Sequence, residues 1–241
     1  MAGFIDIHNH SLPGVDDGAQ DWEMSLQMLR MAYDDGTRQI MLTPHVKPNR
    51  HSAPKHVIQG VYARLVEKCR TELPALTLHL GAEILFSSDL LEGESRSNLP
   101  TLGDSSYVLV EFLPTASRRQ LFYAVDELLA AGYTPIIAHV ERYICVRKET
   151  DMVFQLADMG ALIQVNADSI VGHSGLRTKW FCASLLRQEL VSFVGSDAHD
   201  PKHRKPLLSQ CEELVHRKYG EGYARALFLE NPMKVIKNQT I

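Results

Sequence analysis

The chain has 241 residues, 45% of them hydrophobic, enough for one sizeable core, and α/β barrels of this length are commonly one domain. A charged fraction of 22% and a formal net charge of -4 exclude a basic nucleic-acid surface and a disordered acidic tail. No apolar stretch nears the roughly 20 residues of a membrane span, and Met1-Ala2-Gly3-Phe4-Ile5-Asp6 has no basic leader. The expectation is a cytoplasmic protein without membrane insertion. Four scattered cysteines, Cys69, Cys145, Cys182 and Cys211, form no CxxC pair and read as reduced thiols.

Short apolar runs end near His8, Thr43, Glu83, Glu111, His139, Asn166 and Gly195, spaced by about 27 to 40 residues. Helical patterns fill most of the gaps. Residues 22–36 place Trp22, Leu26, Leu29 and Tyr33 on one face, with Glu23, Gln27, Arg30 and Asp34 as the wet stripe. Residues 54–72, 118–131, 149–159, 176–189 and 205–219 also read as helices, and Gly132 fits a stop signal. Runs such as Tyr107-Val108-Leu109-Val110 and Pro135-Ile136-Ile137-Ala138 have the composition of buried parallel strands.

Strand–helix alternation repeated seven times predicts parallel strands with right-handed crossovers. An open sheet gathers functional residues at one switch point, whereas a barrel gathers them from nearly all strand ends. Here His8, His45, Glu83, Glu111, His139 and Asp197 end six different runs. The chain is therefore expected to form a distorted (β/α)7 TIM-like barrel, one α/β domain over residues 1–241.

His8 and His10, two apart on an extended strand, point the same way and can reach one ion. The candidates are the imidazoles of His8, His10, His45, His139 and His199 and the carboxylates of Asp17, Glu83, Glu111 and Asp197. They are too many for one ion and suit two or three with a bridging carboxylate. Mixed N/O ligation without thiolate favours Mn, Fe or Zn, with Co also compatible. With three divalent ions and four carboxylates the site would carry a net charge of about +2, suited to a phosphate dianion. Water on such ions has its pKa lowered to about 7.

Asp6-Ile7-His8-Asn9-His10, Pro13-Gly14-Val15-Asp16-Asp17-Gly18, Thr43-Pro44-His45, Gly81-Ala82-Glu83, His139-Val140-Glu141-Arg142-Tyr143 and Gly195-Ser196-Asp197-Ala198-His199 together resemble the polymerase and histidinol phosphatase (PHP) superfamily. Within it they look closest to the bacterial metal-dependent protein-tyrosine phosphatases of capsule and exopolysaccharide operons. The resemblance runs from residue 4 to Glu230-Asn231-Pro232. It implies a distorted (β/α)7 barrel with three ions, usually Mn. By motif, His8, His10 and Asp197 would hold one ion, with Glu83 bridging to a second completed by Glu111 and His139. Asp17, His45 and His199 would hold the third, with Asp16 the alternative to Asp17. Arg142 and Arg204 would grip phosphate and, with Asp197 and His199, make up the catalytic set.

The reaction implied is phosphotyrosine hydrolysis by a metal-bound hydroxide at a trinuclear site. The substrate would be the tail of an autophosphorylated bacterial tyrosine kinase. The alternative is a histidinol-phosphate or other small phosphomonoester phosphatase of the same superfamily. Tyrosine leaves with a pKa of about 10, so the demand for a general acid is mild. No general acid and no oligomeric state is assigned.

A rival motif, Cys211-Glu-Glu-Leu-Val-His-Arg217, fits CX5R of cysteine-dependent phosphatases. Its intervening residues form a helical run without the glycines of a phosphate cradle, and its acids would raise the thiol pKa, so it is read as a decoy. His51, His56, His79, His173 and His216 are read as surface or supporting residues, and a pocket role for His203 is the less favoured option. The basic loop 44–56 either guides an acidic phosphopeptide or is simply solvated. Arg118 and Arg119 open a helix, where cations are disfavoured, which suggests a use beyond helix stability.

Overall fold

The computed structural model describes residues 3–47, 52–87, 90 and 98–241. The apolar runs form β1 (Phe4–Asn9), β2 (Thr37–Leu42), β3 (His45–Val46), β4 (Thr77–Leu80), β5 (Glu83–Leu85), β6 (Tyr107–Glu111), β7 (Thr134–Ile137), β8 (Leu162–Asn166) and β9 (Phe193–Gly195). All pair parallel, in the orders β1-β2-β4 and β3-β5-β6-β7-β8-β9.

Two of the seven expected runs are each split in two. Thr43-Pro44 interrupts β2 before β3, where proline has no N–H for the ladder. Gly81-Ala82 interrupts β4 before β5, and a Cβ on Gly81 would lie 2.7 Å from Leu102. The ladder carries on across both breaks, because Gly81 N–H donates to Leu42 O at 2.8 Å and Glu83 N–H to Pro44 O at 3.1 Å. Seven strand positions result, as the alternation predicts. The seam between β9 and β1 is thin: an Asn9–Ala198 bridge, His10 N–H to Ala198 O at 2.9 Å, and Asp197 N–H to His8 O at 2.8 Å. The sheet is thus a curled, distorted barrel.

Helices α1 (Trp22–Asp34), α2 (Lys55–Glu72), α3 (Arg118–Ala130), α4 (Ile144–Lys148), α5 (Asp151–Asp158), α6 (Ala167–Val171), α7 (Leu176–Arg187), α8 (Ser209–Tyr219), α9 (Glu221–Arg225) and α10 (Asn231–Ile236) cover the outside. Asp21 caps α1 and a Ser117–Gln120 capping box opens α3. Helix α8 begins at Ser209 rather than 205, because the Asp35 carboxylate accepts the N–H of Leu208 at 2.6 Å and of Ser209 at 2.9 Å. Helices α4, α6, α9 and α10 are too short to show a clear period in the sequence.

Ile5, Ile7, Met41, Leu109, Ile136, Ala138 and Phe193 pack into one cluster of buried residues drawn from β1, β2, β6, the β7 end and β9. They seal the barrel beneath the strand ends, so the polar residues that follow them stand on a close-packed floor. Arg118 of α3 reaches across to the next segment, with Nη1 2.9 Å from Glu149 and Nη2 2.5 Å from Gln155 of α5. No helix among the described residues is long and apolar enough to cross a membrane.

Candidate metal centre

Each expected strand end delivers its polar side chain to one place. His8 and His10 come from β1 and the residue after it, His45 from β3, Glu83 from β5, Glu111 from β6, and His139 follows β7. Asp197 and His199 follow β9. Two of these residues have left-handed backbones, His139 with φ 31° and Asp197 with φ 52°. Such conformations are costly for non-glycine residues and concentrate at functional sites.

His8 Nε2 lies 3.1 Å from His10 Nε2, 3.1 Å from Glu83 Oε2 and 3.5 Å from Asp197 Oδ1. His10 Nε2 lies 3.2 Å from Glu83 Oε2 and 3.6 Å from Asp197 Oδ1. All four residues are buried.

The neighbouring bonds fix where the ring protons sit. Gln164 Oε1 accepts the His139 N–H at 2.7 Å, so its amide orientation is settled, and His8 Nδ1, 3.2 Å away, must donate to it. His10 Nδ1 donates to Asp16 Oδ2 at 2.8 Å; that carboxylate also accepts the N–H groups of Gly18 and His45. As neutral rings, both histidines then aim bare Nε2 lone pairs at each other and at two carboxylate oxygens. Four donors converging in this way call for a positive charge between them, a metal ion or, without one, a proton on an imidazole. Donors about 2.0–2.1 Å from a tetrahedral ion would be separated by roughly 3.4 Å, and the observed 3.1–3.6 Å matches.

The remaining candidates crowd around this set. His139 Nε2 meets Glu83 Oε1 at 2.7 Å. His45 Nδ1 lies 3.0 Å from Glu111 Oε1 and 3.2 Å from Glu83 Oε2, and its Nε2 lies 3.2 Å from Asp17 Oδ1. His199 donates from Nδ1 to Asp197 O at 3.0 Å, leaving Nε2 free 3.6 Å from Asp17 Oδ1. Three groups able to hold an ion emerge: His8, His10, Glu83 and Asp197; His10, Asp17, His45 and His199; and His45, Glu83 and Glu111. Asp17 falls in such a group, whereas Asp16 orients His10. His139 falls in none of them and reaches the centre through Glu83.

Among the described residues, four buried side-chain polar atoms of this cluster lack a hydrogen-bond partner: His45 Nδ1, Glu83 Oε2, His139 Nδ1 and His199 Nε2. Buried polar atoms are otherwise nearly always satisfied, so this concentration fits residues built to hold metal.

Without an ion, protonated imidazoles balance the buried carboxylates. Burial opposes charge on Glu83 and Asp197, yet the surrounding cations hold both carboxyls below the usual carboxylate range, with His8 the first of them. Burial likewise disfavours charged His10, but its bonds to Asp16 and Glu83 push it up to about 10. Burial and neighbouring His10 bring His199 down to about 3, leaving it neutral, as a ligand must be. Carboxylates this deep call for positive charge. Arg142 Nη2 and Arg204 Nη2 answer in part, each 2.6 Å from an Asp197 oxygen.

Supporting residues complete the site. Gln164 donates to Asn166, which donates to Asp197 Oδ2 at 2.8 Å. Asp6 is buried and accepts from the Ser196 hydroxyl at 2.6 Å, Ser196 N at 3.0 Å, Asn9 Nδ2 at 3.0 Å and His8 N at 3.3 Å. These residues have no role in the sequence reading. The signal for Gln164 and Asn166 was available: amides inside an otherwise apolar strand are buried and need partners.

Residues outside the centre have plain settings. His203 and His56 are exposed, His79 bonds Gln39 at 3.0 Å, His173 meets Asp168, and His216 sits 3.8 Å from Glu212. Arg50 and His51 of the basic loop lie outside the described residues, and Lys47 N–H donates to Ser52 Oγ at 2.8 Å. Cys211 is buried in α8, where burial pushes its thiol up and Asp168 and Glu212 add to the rise. No thiolate forms there near neutral pH. Cys211→Ser is therefore expected to keep kcat/KM within about twofold of wild type, measured on a phosphotyrosine peptide; a folded but inactive variant would overturn the metal reading.

Fold and centre define a class: a parallel barrel with an imidazole–carboxylate cluster able to bind divalent metal at its C-terminal strand ends. Residues 4–237 match the family of capsular polysaccharide synthesis, CpsB/CapC. The chain is 34% identical over 242 residues to the tyrosine-protein phosphatase CpsB of Streptococcus pneumoniae, covering 98% of this chain and 100% of that one. A crystal structure from work on YwqE of Bacillus subtilis and CpsB of Streptococcus pneumoniae, described as unique metal-dependent tyrosine phosphatases, superposes with a TM-score of 0.91 at 31% identity. It covers 98% of this chain and 96% of that one. Histidinol phosphate phosphatase of Lactococcus lactis, at TM-score 0.60 and 14% identity over 90% of this chain and 94% of that one, shares the fold alone. The chain belongs to the CpsB/CapC family, within the PHP-type fold.

Proposed function

We propose that this protein is a metal-dependent protein-tyrosine phosphatase whose substrate is the phosphorylated tail of a bacterial tyrosine kinase acting in capsule or exopolysaccharide synthesis. The observation that carries the reading is the convergence of four lone-pair donors, 3.1–3.6 Å apart, beside two arginines. The family supplies the substrate class, since its relatives are named tyrosine-protein phosphatases.

In this reading His8, His10 and Asp197 would hold one ion, Glu83, Glu111 and His139 a second, and Asp17, His45 and His199 a third. Mn is the proposed metal; the same donor set suits Fe, Zn or Co. Bound divalent ions supply a nucleophile from water at neutral pH and offset the charge of the phosphoryl group. Gln164 and Asp16 keep the His8 and His10 rings turned so that Nε2 faces the centre. Arg142 and Arg204, both partly exposed beside Asp197, grip the equatorial phosphate oxygens, for which a planar two-pronged donor is suited. Tyrosine leaves as a phenolate of pKa about 10, so no dedicated proton donor is required of the chain.

The test compares hydrolysis of a phosphotyrosine peptide, histidinol phosphate and a single-stranded oligonucleotide, each with Mn and with chelator. The expected result is a kcat/KM at least about tenfold higher for the phosphotyrosine peptide, lost with chelator. Preference for histidinol phosphate would make the protein a small-molecule phosphatase instead.

A further inference from the structure

Two large apolar side chains stand exposed shortly after residues of the metal cluster: Leu113, 53% exposed, in the segment after β6, and Ile144, 40% exposed, at the start of α4. Leu113 lies two residues beyond Glu111, and Ile144 two beyond Arg142. The two segments are joined, because Ile144 N–H donates to Pro114 O at 3.0 Å. A cavity of about 410 Å³ opens beside Ile144, lined also by Thr115, Ala116, Ser117, Cys145 and Glu149. Single exposed apolar residues are ordinary, but these two stand on bonded segments that follow Glu111 and Arg142 at the C-terminal strand ends.

These segments are also held in place from below. Phe86 N–H donates to Glu111 O at 2.9 Å, and the Phe112 ring packs 5.5 Å from Phe86 and 5.6 Å from Tyr143, centroid to centroid. The Tyr143 hydroxyl donates to Ala138 O at 2.9 Å and accepts the Phe112 N–H at 3.2 Å. Leu113 and Ile144 therefore sit on a fixed base. Tyr143, between Arg142 and Ile144, has extended backbone, φ -81° and ψ 126°. Ile144 therefore stands about 7 Å along the chain from Arg142, Cα to Cα.

We propose that Leu113 and Ile144 form the shelf that receives the phenyl ring of phosphotyrosine, an inference that rests on the reaction proposed above. A phosphate held by Arg142 and the cluster brings an aromatic ring out to this shelf, where it covers apolar surface. A serine phosphate has no ring to place there and brings its own polar main chain to the rim instead. The shelf thus selects aryl over alkyl phosphate esters by binding, apart from any difference in leaving group.

The experiment measures kcat and KM separately for a phosphotyrosine peptide, phenyl phosphate and glycerol phosphate, using wild type, Leu113→Ala, Ile144→Ala and the double variant. Metal content and circular dichroism serve as controls for folding. Each single variant is expected to raise KM for both aryl esters about three- to tenfold, as loss of a few buried methyl contacts predicts, with glycerol phosphate changed less than about twofold. Ile144→Leu is expected to retain wild-type KM. Equal changes for aryl and alkyl esters, or none, would overturn the shelf while leaving the phosphatase reading intact. A wild-type protein inert towards phosphotyrosine peptide would overturn both.

Discussion

Asp197→Asn is expected to lower kcat/KM for a phosphotyrosine peptide by about a thousandfold or more and to cost the protein at least one bound metal ion. Asp197 Oδ1 is one of the four convergent donors, and both guanidiniums meet the same carboxylate. The substitution keeps the side-chain volume and removes the negative charge. Asparagine tolerates the left-handed backbone found at this position, φ 52°, so the fold should survive. Steady-state kinetics with elemental analysis checks the outcome. A variant with full metal content and near-normal rate would remove Asp197 from the centre.

Asp6→Ala is expected to destabilise the protein by about 3–5 kcal/mol, the cost of leaving several buried donors without a partner. Asp6 touches no substrate in this account. Its carboxylate, raised in pKa by burial against the pull of its hydrogen bonds, links β1 to the residue after β9 through Ser196. That seam has few other bonds, and Asp197 and His199 hang from it. Thermal unfolding should show a midpoint lower by roughly 10 °C for a chain of this size. Asp6→Asn, which keeps part of the bonding, should cost less. A loss under about 1 kcal/mol for the alanine variant would mean that other contacts close the barrel.

The seven-position barrel and the gathering of nine polar side chains were legible because both follow from local pattern. Buried parallel strands read as apolar runs, and a polar residue ending such a run marks the active end of a barrel. The run ending near Thr43 was legible, but the short strand β3 beyond Pro44 and the break at Gly81-Ala82 were not, since the hydrogen bonds across both breaks continue the ladder. The start of α8 was misplaced because its stop, Asp35, comes from a distant turn. The division of labour between Asp16 and Asp17 needed coordinates: adjacent carboxylates look equivalent in sequence, yet one faces His10 Nδ1 and the other His45 Nε2. Asp6, Gln164 and Asn166 were overlooked for a similar reason. Their work is to orient other residues, and that depends on contacts across as many as 190 positions of sequence.

The central claim is that the imidazole–carboxylate cluster is a metal centre and that phosphate-ester hydrolysis depends on it. The most direct measurement removes metal with chelator, verifies the removal by elemental analysis, and follows hydrolysis of a phosphotyrosine peptide before and after Mn is restored. The account predicts two or three ions per chain in the active protein, activity abolished on their removal, and recovery on their return. Full activity in protein shown to hold no divalent metal would contradict it.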